Sequence, residues 1–129
     1  MTKKIQRILI IDDEDVIRDG CCQVLTRRGY AAESTGDASR GLENALRNLY
    51  DVILLDIRMP RMDGMEILKR LKGGGGISAK VIVITGYGSV PLAVEAMRQG
   101  AFDFLTKPYS PAELLGAVEK ALKEKGAAH

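Results

Sequence analysis

A chain of 129 residues has the length of one ordinary domain, and its 46% hydrophobic and 28% charged residues are those of a soluble globular protein with a real core. No apolar stretch approaches the roughly 20 residues that cross a bilayer, and MTKKIQ running straight into a short apolar segment is unlike a signal peptide, so a cytoplasmic location is expected. The net charge of +2, from 19 basic and 17 acidic residues scattered along the chain, argues against direct nucleic-acid binding.

Short apolar runs alternate with longer segments of helical period. The first run is Ile8-Leu9-Ile10-Ile11, followed by a helix from about Glu14 to Arg28 that stops at Gly29. That helix carries the adjacent Cys21 and Cys22. Neighbouring cysteines are poorly placed for a disulfide, and two make no metal site, so reduced thiols are expected, at least one of them packed in the core. A weak run near Ala31-Ala32 leads to a helix after Asp37 with Leu42, Ala45, Leu46 and Leu49 along one face. Val52-Ile53-Leu54-Leu55 precedes a helix that starts near Asp63-Gly64, with Met65, Leu68 and Leu71 spaced for burial. Val81-Ile82-Val83-Ile84 precedes a helix that follows Ser89-Val90-Pro91 and ends at Gly100. The run from Phe102 to Leu105 precedes a last helix at Ser110-Pro111-Ala112-Glu113, where Ser110 and Glu113 have capping-box spacing.

Continuous Ile- and Val-rich runs fit strands buried on both faces, and strand then helix, five times, predicts an open, doubly wound α/β parallel sheet with helices on both faces. One domain is expected over residues 1–129, with a core of about 5–123 and a tail of 124–129. The glycines from Gly73 to Gly76 fall at the amino edge of the sheet. Ligands of such sheets bind at the carboxyl edge, and no Lys-Ser or Lys-Thr follows, so they read as a flexible connector rather than a phosphate cradle.

The chemistry gathers at the other edge. Asp12, Asp13, Glu14 and Asp15 follow the first run, Asp56 ends the third, Thr85 the fourth, and Thr106-Lys107-Pro108 the fifth. Parallel strands bring these ends together. Carboxylates a few ångströms apart repel by about 4 kcal/mol per pair at an effective dielectric of about 20, so a cation or raised pKa values must relieve them. An oxygen-ligand set of this kind suits Mg²⁺, and Lys107 offers a second counter-charge. One carboxylate could then act as a nucleophile toward phosphorus, with metal and lysine neutralising the transferring group and Thr85 donating its hydroxyl to it. Glu14 and Asp15 are explained by an acidic first helical turn and receive no role. The lone histidine, His129, reads as a frayed tail, so the chain holds an acceptor for a phosphoryl group but no kinase-style donor.

The segments IIDDED, LLDIRMPRMDG, VITGYGS and FDFLTKPY resemble, in order and spacing, the four signature segments of response-regulator receiver domains, and the likeness runs from about Ile5 to Lys123. The stretch from Thr85 to Pro108 looks most like receivers of the nitrogen-regulatory, sigma-54-dependent activator class. The resemblance implies a flavodoxin-like sheet in the order 2-1-3-4-5. It implies that Asp56 accepts a phosphoryl group from a sensor histidine kinase or phosphotransfer protein. Mg²⁺, with Mn²⁺ as the alternative ion, would be held by Asp12, Asp13, Asp56 and the backbone carbonyl of Arg58. Thr85 and Lys107 would contact the phosphoryl group, and Phe104 would be the switch aromatic. Arg58 and Tyr87 would tune hydrolysis, and Lys107-Pro108 would be a cis peptide. The surface of the fourth helix, fifth strand and fifth helix would control an effector domain in the same full-length chain, for transcription activation, or a phosphorylation-dependent homodimer. Such a domain supports its own phosphorylation and dephosphorylation without being a turnover enzyme, and has no membrane partner.

Three rivals are weaker. A haloacid-dehalogenase-type phosphatase needs a second acid two residues after its nucleophile, where this chain has Arg58. A flavin carrier of the same fold has a hydroxyl-rich first loop, where Asp12 and Asp13 would repel phosphate. A degenerate receiver, serving only as an interaction module, would not need all of Asp12, Asp13, Asp56, Thr85 and Lys107.

Overall fold

Side chains of a strand point alternately to opposite faces, so an uninterrupted apolar strand has to be covered twice. In the computed structural model, which describes residues 4–73, 76–86 and 90–127, this happens at every central strand. The elements are β1 (Arg7–Ile11), α1 (Asp15–Arg27), β2 (Ala31–Thr35), α2 (Ala38–Arg47), β3 (Val52–Asp56), α3 (Gly64–Lys72), β4 (Lys80–Thr85), α4 (Val90–Arg98), β5 (Asp103–Thr106) and α5 (Pro111–Ala127). Ile8, Ile10, Val52, Leu54, Ile82 and Ile84 face α1 and α5, packing against Cys21, Leu25, Leu114 and Val118. Leu9, Ile11, Ile53, Leu55, Val81 and Val83 face α2, α3 and α4, packing against Leu42, Ala45, Ile67, Leu68, Leu71 and Ala96.

The five strands are parallel and ordered β2-β1-β3-β4-β5, as the resemblance implied. The chain steps outward from β1 to β2, then returns past β1 to β3. The loops after β1 and β3 therefore leave in opposite directions and open a crevice at the carboxyl edge, where ligands of such sheets bind.

Local signals place most boundaries. Asp37 accepts a hydrogen bond from the Arg40 N–H (3.0 Å) and Asp63 from the Met65 N–H (2.9 Å), capping α2 and α3. The capping box of α5 forms as spaced: Glu113 N–H donates to Ser110 Oγ (3.0 Å) and Ser110 N–H to Glu113 Oε1 (3.1 Å). Gly29 and Gly100 follow their helices with φ of 88° and 105°, a region that favours glycine. Pro91 lies in the first turn of α4, while Ser89 lies outside the described residues. Cys21 is buried, Cys22 half-buried, and both are free thiols.

Three features differ from the sequence expectation. The helical period after Asp37 continues through Leu49, but α2 ends at Arg47, with Asn48 extended and its N–H returned to the Asn44 carbonyl. Leu49, beyond that end, is 82% exposed, and Leu46, within the helix but off its buried face of Ala38, Gly41, Leu42 and Ala45, is 53% exposed. In α3 the buried stripe includes Ile67, with Met65 only half-buried. Between β3 and α3 the chain also forms a short antiparallel ribbon, Arg58–Met59 against Met62–Asp63, turned by Arg61 at φ 69°.

At the amino edge, Gly74 and Gly75 lie outside the described residues. Around them Lys72 Nζ donates to the carbonyls of Ile77 (3.0 Å) and Ala79 (3.1 Å), away from the carboxyl edge. No helix among the described residues is long and apolar enough to cross a membrane.

Candidate functional site

Three polar residues among those described are buried, and all three lie at strand ends on the carboxyl edge: Asp12, Asp56 and Thr85, at 0%, 3% and 0% exposure. Asp12 follows β1, Asp56 ends β3, and Thr85 ends β4. Burying carboxylates costs several kcal/mol each unless they are paired and hydrogen-bonded. The surroundings of these two are built for that.

Asp12 Oδ1 accepts the Glu14 N–H at 2.9 Å and Asp56 Oδ1 the Arg58 N–H at 2.9 Å, each from the residue two further on. The other oxygen of each turns to Lys107. Its Nζ donates to Asp56 Oδ2 at 3.0 Å and to Glu14 Oε1 at 3.0 Å. Asp12 Oδ2 lies 2.9 Å from the same nitrogen, yet it is poorly directed for a hydrogen bond and stands as a buried oxygen without a donor. Lys107 is held in turn by its own N–H, which donates to the Thr85 carbonyl at 2.8 Å. The Lys107-Pro108 peptide is cis, as the resemblance implied.

The electrostatics follow from this crowding. Burial alone would lower the pKa of Lys107, but its contacts with Asp12, Glu14 and Asp56 outweigh that and hold it above the usual lysine range. Burial pushes the Asp56 carboxyl up; the Arg58 N–H and Lys107 pull it back, and Asp12 pushes it further up. One ammonium thus serves three carboxylates, and the cluster keeps an excess of negative charge.

Asp13, next to Asp12 but exposed, adds a third oxygen. One carboxylate oxygen each from Asp12, Asp13 and Asp56 all lie within 4.8 Å of one another. Hard, anionic oxygens at that spacing suit a small divalent cation, and Asp12 among these residues carries a buried oxygen without a donor. Beside them a cavity of about 430 Å³ opens between the β2–α2 loop and the ribbon, lined by Asp13, Asp37, Ser39, Pro60 and Arg61 among others.

The chain's local geometry positions these groups. Gly64 N–H donates to the Ile57 carbonyl at 3.2 Å, and a Cβ at Gly64 would fall 2.2 Å from Ile57 Cα. The start of α3 is therefore pressed against the loop between Asp56 and Arg58. On the other side, Arg18 Nη1 donates to the Asp12 carbonyl at 2.7 Å and its guanidinium also pairs with Asp15.

The strand-end acids, Thr85 and Lys107 are brought together as the sequence predicted. Phe104 lies on β5, half-buried against the α2–α4 side of the core, and Arg58 is exposed. Tyr87 lies outside the described residues. Glu14, given no role from sequence, belongs to the cluster through Lys107. The helix-dipole explanation suffices for Asp15 alone, and the signal for Glu14 was its adjacency to the acid pair on the same edge as Lys107.

Fold and site together define a doubly wound α/β module with an acid crevice at its topological reversal point. The chain belongs to the response regulator receiver domain family, whose model matches residues 8–119. It is 43% identical over 118 residues to the C4-dicarboxylate transport transcriptional regulatory protein DctD of Pseudomonas aeruginosa, covering 91% of this chain and 25% of DctD. It spans about half the length of other curated relatives it matches. Among solved structures it is similar to a CheY-like response regulator receiver domain protein from Methanospirillum hungatei JF-1. There the TM-score is 0.90 with 32% identity, over 98% of this chain and 100% of that one. The beryllofluoride-activated NtrC4 receiver domain dimer matches with a TM-score of 0.85 and 34% identity, over 92% of this chain and 98% of that one. It is thus a response-regulator receiver domain of the kind found in two-component systems, with transcription regulators among its relatives.

Proposed function

We propose that the chain is a phosphorylation-driven switch in which Asp56 accepts a phosphoryl group from a sensor histidine kinase or phosphotransfer protein. The observation that carries this is the bridge from Lys107 to Asp12 and Asp56, which sets a buried carboxylate against a permanent counter-charge at the carboxyl edge of the sheet. An oxygen of Asp56 forms the new P–O bond while the P–N bond of the donor phosphohistidine breaks, its electron pair staying on the imidazole. Lys107 stays protonated and neutralises the transferring group, and the Arg58 N–H steadies the oxygen that does not attack. Asp12, Asp13, Asp56 and the Arg58 carbonyl would hold Mg²⁺, or Mn²⁺ in its place. When bound, the ion supplies charge neutralisation at the phosphoryl oxygens. Arg58 and Tyr87 tune later attack by water.

Thr85, buried at the end of β4, would donate its hydroxyl to the phosphoryl group and move toward it. Val83 of β4 is in register with Phe104 of β5 and Thr85 with Thr106, so the two elements of the switch lie on adjacent strands, and Phe104 would repack as Thr85 moves. The surface of α4, β5 and α5 then changes. On α4, Val90, Val94 and Met97 are 77%, 44% and 46% exposed, an apolar stripe available to a partner. An effector domain in a longer chain, controlling transcription, or a second copy of the receiver would read it. DctD is a transcriptional regulator and the NtrC4 receiver a dimer, which supports both readings. Moving such a switch from 1:99 to 99:1 takes about 5.5 kcal/mol of preference for the active state. We place the protein in the cytoplasm and outside the class of turnover enzymes.

The test is incubation of wild type and Asp56→Asn with acetyl phosphate and Mg²⁺, read by intact mass. A gain of about 80 Da, one phosphoryl group, in wild type only is the expected result. If neither gains mass and beryllofluoride with Mg²⁺ fails to bind, the degenerate interaction module is the better description.

A further inference from the structure

Behind the acid cluster, on the α1–α5 side of the sheet, the thiol of Cys21 lies 3.1 Å from the hydroxyl of Tyr109, a contact between residues 88 apart in sequence. Cys21 is 3% exposed, and Tyr109 packs against the same core. Cys21 sits on α1, the helix that begins directly after Asp12, Asp13 and Glu14. Tyr109 sits two residues beyond Lys107, in the short segment between β5 and α5. The contact therefore ties the helix that follows the metal-binding acids to the loop that carries the lysine.

We propose that Cys21 and Tyr109 are positioning residues for phosphoryl transfer, holding the Lys107 loop in register with α1 so that the ammonium spans Asp12 and Asp56. The inference rests on Asp56 being the phosphoacceptor. Three restraints then define the loop. Lys107 N–H is fixed on the Thr85 carbonyl, Ser110 is fixed by the capping box of α5, and Tyr109 between them is fixed on Cys21. The first two tie the loop to β4 and to its own helix; the third sets its distance from α1.

The chemistry of the pair suits a fixed restraint rather than a reactive one. Burial pushes the Cys21 thiol up from its ordinary value, and burial together with Cys21 does the same for the Tyr109 phenol. Both stay protonated at neutral pH, so the contact is a hydrogen bond between neutral groups. A small groove of about 190 Å³ opens beside it, lined by Val16, Val24, Pro108 and Leu114 besides the pair itself.

The test measures the rate of phosphorylation by acetyl phosphate at saturating Mg²⁺, well below the melting temperature, for wild type and for Tyr109→Phe, Cys21→Ala, Cys21→Ser and the Tyr109→Phe/Cys21→Ala pair. Cys22→Ser, altering the neighbouring thiol, is the control expected to keep the wild-type rate. Each single loss should slow the reaction roughly threefold to tenfold, the effect of one neutral hydrogen bond, the double variant should be no slower than the slower single, and Cys21→Ser should recover most of the rate. Circular-dichroism melts confirm that each variant is folded at the assay temperature. Wild-type rates in folded Tyr109→Phe and Cys21→Ala, with only their melting points lowered, would show a purely structural contact and overturn the proposal. So would independent, multiplicative effects of the two substitutions. A wild type that is not phosphorylated at all would instead remove the Asp56 assignment, and the proposal with it.

Discussion

Lys107 Nζ lies 3.0 Å from Asp56 Oδ2 across 51 residues of chain, and the same nitrogen is 2.9 Å from Asp12 Oδ2. Two carboxylates at the ends of adjacent strands thus share one counter-charge, which is 11% exposed at the side chain.

Removing that charge leaves the acids buried and unpaired. Lys107→Met should lower stability by about 3–5 kcal/mol, the cost of breaking a buried ion pair, with part of the loss recovered on adding Mg²⁺. The folded pKa of Lys107 is above its unfolded value, so its contribution is complete below about pH 10.4 and is lost as pH rises through the folded value. Denaturant unfolding of both proteins at pH 8 and at higher pH checks this. A gap that widens with alkalinity would contradict it.

Asp56→Asn should have the opposite effect in metal-free buffer. The folded pKa of Asp56 is raised, chiefly by burial, so its charged form opposes folding at neutral pH. That penalty is full above the folded pKa and vanishes as pH falls to the unfolded value of about 3.9. We expect the melting temperature at pH 7 to rise by roughly 3 to 6 °C, the equivalent of about 1 kcal/mol in a domain of this size. Mg²⁺ should narrow the difference by stabilising wild type more. A variant less stable than wild type without metal would refute this account of the cluster.

Gly64→Ala tests the close approach of α3 to the loop that follows Asp56. The added Cβ meets backbone, 2.2 Å from Ile57 Cα and 2.8 Å from Ile57 C and O, which no rotamer change relieves. A loss of about 1–3 kcal/mol is expected, together with slower phosphorylation, because Ile57 joins Asp56 to Arg58. Unchanged stability and rate would mean that α3 can shift without disturbing the site.

Val94→Asp addresses the α4 stripe. Val94 is 44% exposed, so stability should change by no more than about 0.5 kcal/mol. Sedimentation with beryllofluoride and Mg²⁺ should show weaker self-association than wild type if this face is the activated dimer surface. Association that is equally strong in the variant would move the interface elsewhere.

The errors of sequence reasoning were local and physical. The helical period after Asp37 ran on through Leu49, but the backbone turns extended at Asn48 and ends α2, leaving Leu49 at the surface, while Leu46 sits on the helix's exposed side. Glu14 looked like a helix-dipole residue because an acidic first turn was explanation enough for it, and its adjacency to Asp12 and Asp13 counted only once the fold brought Lys107, 93 residues on, within reach. The ribbon at Arg58–Met59 and Met62–Asp63 carries no periodic signal at all.

By itself the sequence determined the alternation of buried strands and amphipathic helices, most caps, and the set of strand-end acids with their lysine. These follow from side-chain period and capping chemistry, which act between residues a few positions apart. Only the tertiary structure decided which carboxylates share Lys107, which oxygen of Asp12 is left without a donor, and that Cys21 meets Tyr109. Those depend on strand order and on how helices settle against the sheet, and no short-range pattern encodes the distance between residues 12, 56 and 107.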